Sequence, residues 1–374
     1  MRILLVGMAD SIHLSRWLAQ FDDSAHVFEI VSSSPHRRIH QGIRQRAAES
    51  NKVSLTWFSR VFSLPLWLAD RVFSDWLRGA YIALRIKRFA PDLVHVNELQ
   101  NAGYATRRAY QLLRRDKPKL IVTNYGSEIV WFSKYPAHKA KLTALLSIAD
   151  AFSAECVRDY NLAEELAPGL NHLPLMPVAG GHERNQEPEQ PRKKIAIKGY
   201  ENHWGKALTV LEVLVEMAPE LDGYDFEFYS CNRPVIGAAK RAAKETGLSI
   251  TTHKKGALSH QQVLSLFRQS EIYIGHSMSD GISTSMLEAM AMGAIPIQTC
   301  TSCADEWVIE GDTGFLVEPN DKAQLAKSIK RALSKDFNTE HARKQNYATI
   351  ESRYSPKTLS AIAQGYYEGF ENAD

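Results

Sequence analysis

Cysteine is scarce. The 374 residues hold four, Cys156, Cys231, Cys300 and Cys303. That is too few for a disulfide scaffold and fits a reducing compartment. Charge of one sign is lacking as well. Lys and Arg number 45 against 42 Asp and Glu, so the net charge is only +3. This argues against a chain that binds nucleic acid through its overall charge. No uncharged apolar stretch reaches the roughly 18 residues that a membrane-spanning helix needs. No internal repeat is visible. The opening MRILLVGMADS carries one positive charge and a short apolar run that ends at Asp10. It reads as a first strand and not as a signal peptide. A soluble cytoplasmic protein is expected.

What is present is ordinary globular material. Apolar residues make up 44% and charged residues 23%, which excludes a disordered or fibrous chain. At roughly 150 residues per domain the length predicts two domains. Arg2–Val6 is a continuous apolar run, as in a strand buried on both faces. Ser11–Phe21 then places Ile12, Leu14, Trp17, Leu18 and Phe21 at helical spacing. Val27–Ser32, Asp92–Val96 and Leu120–Thr123 read as further strands, with helical material between them.

A composition shift follows at His182–Lys194, which has two prolines and no aliphatic residue. Strands are then expected at Ile195–Ile197, Asp225–Tyr229, Ile272–Ile274 and Ala294–Gln298. Helices are expected at Ala207–Met217, Gln261–Arg268, Met286–Met292 and Ala323–Leu333. The pattern predicts two α/β domains with parallel sheets, residues 1–181 and 195–355, joined by a linker at 182–194. A last helix, Pro356–Phe370 within residues 356–374, fits either domain. Ligands of such sheets sit outside the carboxyl ends of the strands, and a cleft between two such domains is the expected site.

The segment from Ser279 to Asp321 is the densest in signals. Asp280 and Glu288 stand eight residues apart with Gly281 between them, and Ser283, Thr284 and Ser285 precede a helix that closes at Gly293. Free N–H groups at such a helix start favour a phosphate, and Glu288 one turn in can accept from hydroxyls of the same ligand. Gly281 permits close approach of the backbone. Ser285-x-x-Glu288 is equally a capping box, which needs no ligand.

These residues resemble the retaining glycosyltransferases of family 4, which have the GT-B fold. That family carries E-G-x-P-x-x-x-x-E followed by L-E-A-M-A-x-G-x-P-V. Here Asp280-Gly281-Ile282-Ser283 is followed by Leu287-Glu288-Ala289-Met290-Ala291-Met292-Gly293-Ala294-Ile295-Pro296. Glu306, Gly314-Phe315-Leu316-Val317 and Asp321 also match. In the amino half, Asp10-Ser11-Ile12-His13, Arg16-Trp17, Pro91-Asp92-Leu93-Val94-His95 and Tyr125-Gly126-Ser127-Glu128-Ile129 resemble a subset of the family. The resemblance runs over nearly the whole chain. It implies two facing Rossmann-like domains, the first on the acceptor side and the second holding a nucleotide-sugar donor, with UDP-sugars favoured.

Carried residue by residue, the resemblance gives Glu288 the ribose hydroxyls and Asp280 the hydroxyls of the transferred sugar. Backbone amides of Gly281, Ile282, Ser283, Thr284 and Ser285 would hold sugar and pyrophosphate. Gly256 to Leu258 would frame the nucleobase. Three departures stand out. Asp280 is one methylene shorter than the family's Glu. Gly199 is followed by Tyr200 where the family has Arg, so the cation on the diphosphate falls to Lys198, Lys206 or Arg233, with Lys206 preferred. The family's reaction-centre His after the Leu120–Thr123 strand is replaced by Asn124-Tyr125, with Glu128 beyond. Asn124, Glu128 and His13 are therefore the acceptor-side candidates. His13 also reads as part of a polar turn capped by Ser11.

The chemistry follows from leaving-group stabilisation by fixed N–H dipoles and a lysine or arginine. No D-x-D pair stands in a suitable place, so transfer without a metal or other cofactor is expected. Retention is implied by the resemblance alone, since no residue is a clear nucleophile. Family habit points to a glycan or lipid-linked acceptor in cell-surface polysaccharide or lipopolysaccharide synthesis.

No G-x-G-x-x-G follows Gly7, which argues against a dinucleotide site. Cys300 and Cys303 have C-x-x-C spacing without two further zinc ligands nearby and read as a passive loop. Residues 36–88 hold eleven Lys and Arg against three acids, interleaved with Trp57, Phe58, Phe62, Leu64, Leu66, Trp67 and Trp76. This reads either as an interfacial membrane element at the inner face of the plasma membrane or as a solvated helix pair. Two other functions fit the same frame, a sugar-nucleotide epimerase and a catalytically silent GT-B module that binds glycan. A linker between two domains also predicts closure on the donor.

Overall fold

The computed structural model describes residues 1–33, 38–56, 63–72, 75–177, 180–187 and 192–371. The chain divides into two units, Met1–Gly180 with Leu359–Asp374, and Gly181–Thr358. The first opens with β1 (Arg2–Gly7), α1 (Ile12–Ala19), β2 (Val27–Ser32), α2 (Gln41–Glu49) and β3 (Val53–Thr56). It continues through α3 (Ser63–Val72), α4 (Trp76–Phe89), β4 (Leu93–Asn97) and, after a π-turn, α5 (Tyr104–Leu112). Then come β5 (Lys119–Thr123), α6 (Glu128–Phe132), α7 (Pro136–Leu146), β6 (Ala151–Ser153) and α8 (Val157–Leu166). The sheet order is β3-β2-β1-β4-β5-β6, and every pairing is parallel.

The second unit opens with β7 (Lys194–Lys198), α9 (Ala207–Glu216), β8 (Asp225–Cys231), α10 (Arg233–Thr246) and β9 (Ser249–Lys254). α11 (His260–Gln269), β10 (Ser270–Gly275), α12 (Thr284–Ala291), β11 (Ile295–Thr299) and β12 (Phe315–Val317) follow. α13 (Lys322–Ala332) and α14 (Thr339–Arg353) come next, and α15 (Pro356–Glu371) carries the chain back into the first unit. The order β12-β11-β10-β7-β8-β9 repeats the first sheet's topology in a second all-parallel sheet. Both units are Rossmann-like, as the strand and helix alternation predicts. In each, strand order reverses beside the first strand, at β1/β4 and at β7/β10, and that is where such sheets open a crevice.

The apolar runs explain the layering. Ile3 to Val6 of β1 and Ile195 to Ile197 of β7 are fully buried, because helices cover both faces of each sheet. A buried polar chain fastens α15 to the first unit. The Tyr367 hydroxyl accepts from Trp17 Nε1 at 3.0 Å and meets His95 Nδ1 at 2.8 Å. His95 Nε2 meets Thr123 Oγ1 at 2.7 Å, which meets Ser153 Oγ at 2.7 Å. Burial lowers the His95 pKa to about 3, so the ring is a neutral link in this chain.

Candidate active site

In the second unit the sequence-chosen residues gather at the carboxyl ends of the strands. Gly199 and Lys206 follow β7, Arg233 follows β8, Gly256 and Leu258 follow β9, and Asp280 to Ser285 follow β10. Two of these loops are zipped together at the switch point. Lys206 N donates to His276 O at 3.0 Å, Met278 N donates to Trp204 O at 2.8 Å, and Gly205 bridges Ser277. Gly199 has a packing reason to be glycine, because a Cβ there would meet Cys231 Sγ at 2.4 Å and Tyr229 O at 2.9 Å.

The helix after β10 begins two residues earlier than a Ser285 cap requires. Ser283 is the N-cap of α12, and its side chain accepts from Met286 N. Ser285 therefore lies inside the first turn, and the Ser285–Glu288 capping box does not form. The shift frees Glu288 from a capping duty. Its carboxylate is 6% exposed, and Oε1 accepts from His260 Nε2 at 2.8 Å. Asp280 accepts from Gly281 N at 3.0 Å, and Asp280 N donates to Thr301 O at 3.3 Å, which ties this loop to the one after β11.

Beneath α12 lies a polar floor. Lys198 on β7 pairs in register with Tyr229 on β8, and Ala196, two residues back, pairs with Tyr273 on β10. Side chains two apart share a face, so Lys198, Tyr229 and Tyr273 lie on one side of the sheet, with the small Ala196 leaving room between the two rings. Phe267 packs edge-on against both, with centroids at 5.4 and 5.5 Å. Nδ1 of His276 and Oε1 of Gln298 are buried without a hydrogen-bond partner among the described residues, and the hydroxyls of Tyr229 and Tyr273 are buried beside each other and beside Ser285 and Ser283. Gly275 makes room here too, since a Cβ would meet Tyr273 Oη at 2.7 Å. Burial raises the pKa of both tyrosines. Burial lowers that of His276 to about 4. Burial opposes the Lys198 charge, but Tyr200, Tyr273 and Asp280 outweigh it and hold the ammonium above its usual range. Unpartnered buried polar atoms at the end of a sheet mark a place for a polar ligand.

The cations differ in their commitments. Lys206 Nζ donates to Asn202 O at 2.8 Å and lies 3.6 Å from Glu201. Arg233 is exposed at the first position of α10. Lys198 lies within electrostatic reach of Asp280. The sequence reading named Lys198 but preferred Lys206, and it missed His260. The signal for His260 was its place two residues after the Gly256–Leu258 loop.

In the first unit the crest of the sheet holds His13, Asn124 and Glu128. Ser11 caps α1 through His13 N at 3.1 Å, and the His13 ring lies 6.3 Å from the Tyr125 ring. Asn124 is fully buried; its amide donates to Asp159 at 2.7 Å and accepts from Ile129 N at 3.1 Å. Glu128 Oε2 accepts from Leu99 N and Tyr125 N, each at 3.0 Å. Burial and then the neighbouring Glu98 charge push the Glu128 carboxyl well above its usual range. Glu98 escaped the sequence reading. It holds a left-handed φ of 117° while accepting from Ser33 Oγ at 3.1 Å and Ala102 N at 3.3 Å, a strained backbone of the kind that gathers at functional sites.

Of the basic segment 36–88, Trp57, Phe58, Arg60 and Phe62 lie outside the described residues, as do the side chains of Leu64, Leu66, Trp67 and Arg71. Three of its arginines pair with acids of the same unit: Arg46 with Asp22, Arg78 with Asp70 and Asp75, and Arg85 with Glu29. Leu68 and Trp76 are about half exposed, at 52% and 49%. Among the described residues no helix is long and apolar enough to cross a membrane.

Two family models match the chain, glycosyl transferase 4-like over residues 2–155 and glycosyl transferases group 1 over residues 232–351. No curated protein matches it by sequence search. Among solved structures it is similar to a glycosyltransferase from Rickettsia africae, with TM-score 0.72 and 15% identity, covering 100% of this chain and 99% of that one. It is also similar to HepE of Anabaena, solved with UDP, with TM-score 0.71 and 12% identity, covering 99% and 100%. The same protein solved with UDP-glucose gives the same values. The lipopolysaccharide outer core galactosyltransferase WaaB matches with TM-score 0.70 and 12% identity, covering 99% of each chain. The chain is a glycosyltransferase of GT-B fold.

Proposed function

We propose that this glycosyltransferase moves a sugar from a nucleoside diphosphate donor, a UDP-sugar by preference, to a glycan or lipid-linked acceptor. Anomeric configuration is retained, no metal takes part, and the product belongs to cell-surface polysaccharide or lipopolysaccharide. The observation that carries the donor site is Glu288, a residue only 6% exposed whose carboxylate is held by His260 beside the buried Tyr229 of β8. The likeness to HepE solved with UDP and with UDP-glucose supports the choice of base.

In this reading Glu288 accepts from the ribose hydroxyls and Asp280 from the sugar. Amides of Gly281 to Ser285 and a lysine take the diphosphate charge as the anomeric bond breaks. The acceptor attacks from the same face, and the leaving phosphate takes its proton. His13 stands on the acceptor side, with Asn124 and Glu128 shaping the loop beside it. The exposed, basic parts of 36–88 bring the protein to the inner membrane face.

Calorimetric titration without metal tests the donor reading. UDP is expected to bind saturably and better than GDP, ADP or CMP, and Glu288→Ala is expected to abolish binding while circular dichroism stays unchanged. Undiminished binding in that variant overturns the site. The commitment of Asn124 and Glu128 to hydrogen bonds within their own unit favours a second reading, a silent module. Turnover of UDP-glucose separates the two, and conversion of donor without acceptor identifies an epimerase.

A further inference from the structure

We propose that His260 is the positioning residue of Glu288, fixing the plane of its carboxylate so that a ribose diol meets one acceptor geometry. The proposal rests on the donor-site reading above and deepens it. Glu288 is a flexible side chain one turn into α12, and a carboxylate free to rotate loses binding free energy each time it is ordered by a ligand. His260 removes that freedom beforehand. Its Nε2 donates to Oε1 at 2.8 Å, a charge-assisted hydrogen bond.

His260 is itself held from two sides. It is the first residue of α11, and that helix start is closed by a reciprocal box. Ser259 Oγ accepts from Gln262 N at 3.3 Å, and Gln262 Oε1 accepts from Ser259 N at 2.8 Å. The ring of His182 packs edge-on against the His260 ring, at 6.1 Å between centroids and 66° between planes. The box fixes the backbone at His260, and the ring, whose side chain is 41% exposed, is steadied by the neighbouring His182 ring. Its contact with Glu288 also ties α12 to the turn at Gly256, whose φ is +79°. One side chain thus couples the loop assigned to the nucleobase with the carboxylate assigned to the ribose.

The test is calorimetric titration of the full chain with UDP and with 2′,3′-dideoxyuridine diphosphate, which lacks the diol. His260→Ala is expected to weaken UDP binding about tenfold, and His260→Gln, which keeps an N–H donor, to restore most of the loss. The penalty is expected to vanish with the dideoxy compound. Equal losses for both compounds mean a merely structural role and overturn the proposal. So does wild-type UDP affinity in His260→Ala when Glu288→Ala has lost binding; the donor reading then survives alone. Wild-type affinity in Glu288→Ala overturns the donor reading and the proposal together. If His260→Ala does not fold, His260→Gln against His260→Leu carries the same comparison.

Discussion

On the proposed donor reading, the leaving diphosphate finds its cation in one of two lysines. Lys206 has the sequence position, yet its amine is engaged by Asn202 and Glu201. Lys198 lies on β7 with its amine 5.3 Å from the centre of the Tyr200 ring and within reach of Asp280. On the proposed donor reading, Tyr200 stands where the family has an arginine, and Lys198 beside it supplies the charge. Lys198→Met removes a cation that acts electrostatically on the nearby Asp280 carboxylate. We expect UDP affinity to fall about tenfold or more in Lys198→Met and by less than about threefold in Lys206→Met. Calorimetry on the two variants, with melting curves as the fold control, makes the comparison. The reverse order returns the role to Lys206.

At the level of elements, legibility followed position in the sheet. Each of the eight interior strands is an apolar run, or in β8 an alternation of Phe with acids, that the sequence discloses. Each of the four strands missed, β3, β6, β9 and β12, is the edge of a sheet. The reason is physical. An edge strand is covered less and need not be apolar throughout; β9 reads SITTHK with no fully buried residue. β6 and β12 are only three residues long, below the length at which periodicity can be read. The candidate site is legible where a motif runs over many consecutive residues, as from Asp280 to Pro296. It is not legible where the partner comes from another element, as His260 does for Glu288. The last helix could not be assigned to a domain from sequence because its partners, Trp17 and His95, lie more than 250 positions away. Those contacts carry weight. Tyr367→Ala is expected to cost about 3–5 kcal/mol through the lost ring, and Tyr367→Phe about 1–3 kcal/mol through the unpartnered His95 and Trp17 nitrogens. Urea unfolding followed by circular dichroism reads both, and an effect under about 0.5 kcal/mol for Tyr367→Ala refutes the fastening role of α15.

The whole molecule is asymmetric in how its two units are closed. The second is continuous from Gly181 to Thr358 and owns its six-stranded sheet, its core and every residue given to the donor. The first is discontinuous. It needs the return of the chain at Leu359 to cover Trp17, Phe21 and His95 with Tyr366 and Tyr367. Residues 181–358 produced alone are therefore expected to melt cooperatively and to bind UDP within about tenfold of the full chain. Residues 1–180 produced alone leave an aromatic face uncovered and are expected to lose cooperative melting, regaining it when residues 356–374 are supplied in trans. Thermal melts and calorimetry on the three samples decide the matter. A cooperative second unit that binds no UDP means that donor recognition needs residues of the first unit. A cooperative first unit without its last helix means that the Tyr367 network is an ornament of the fold and not one of its supports.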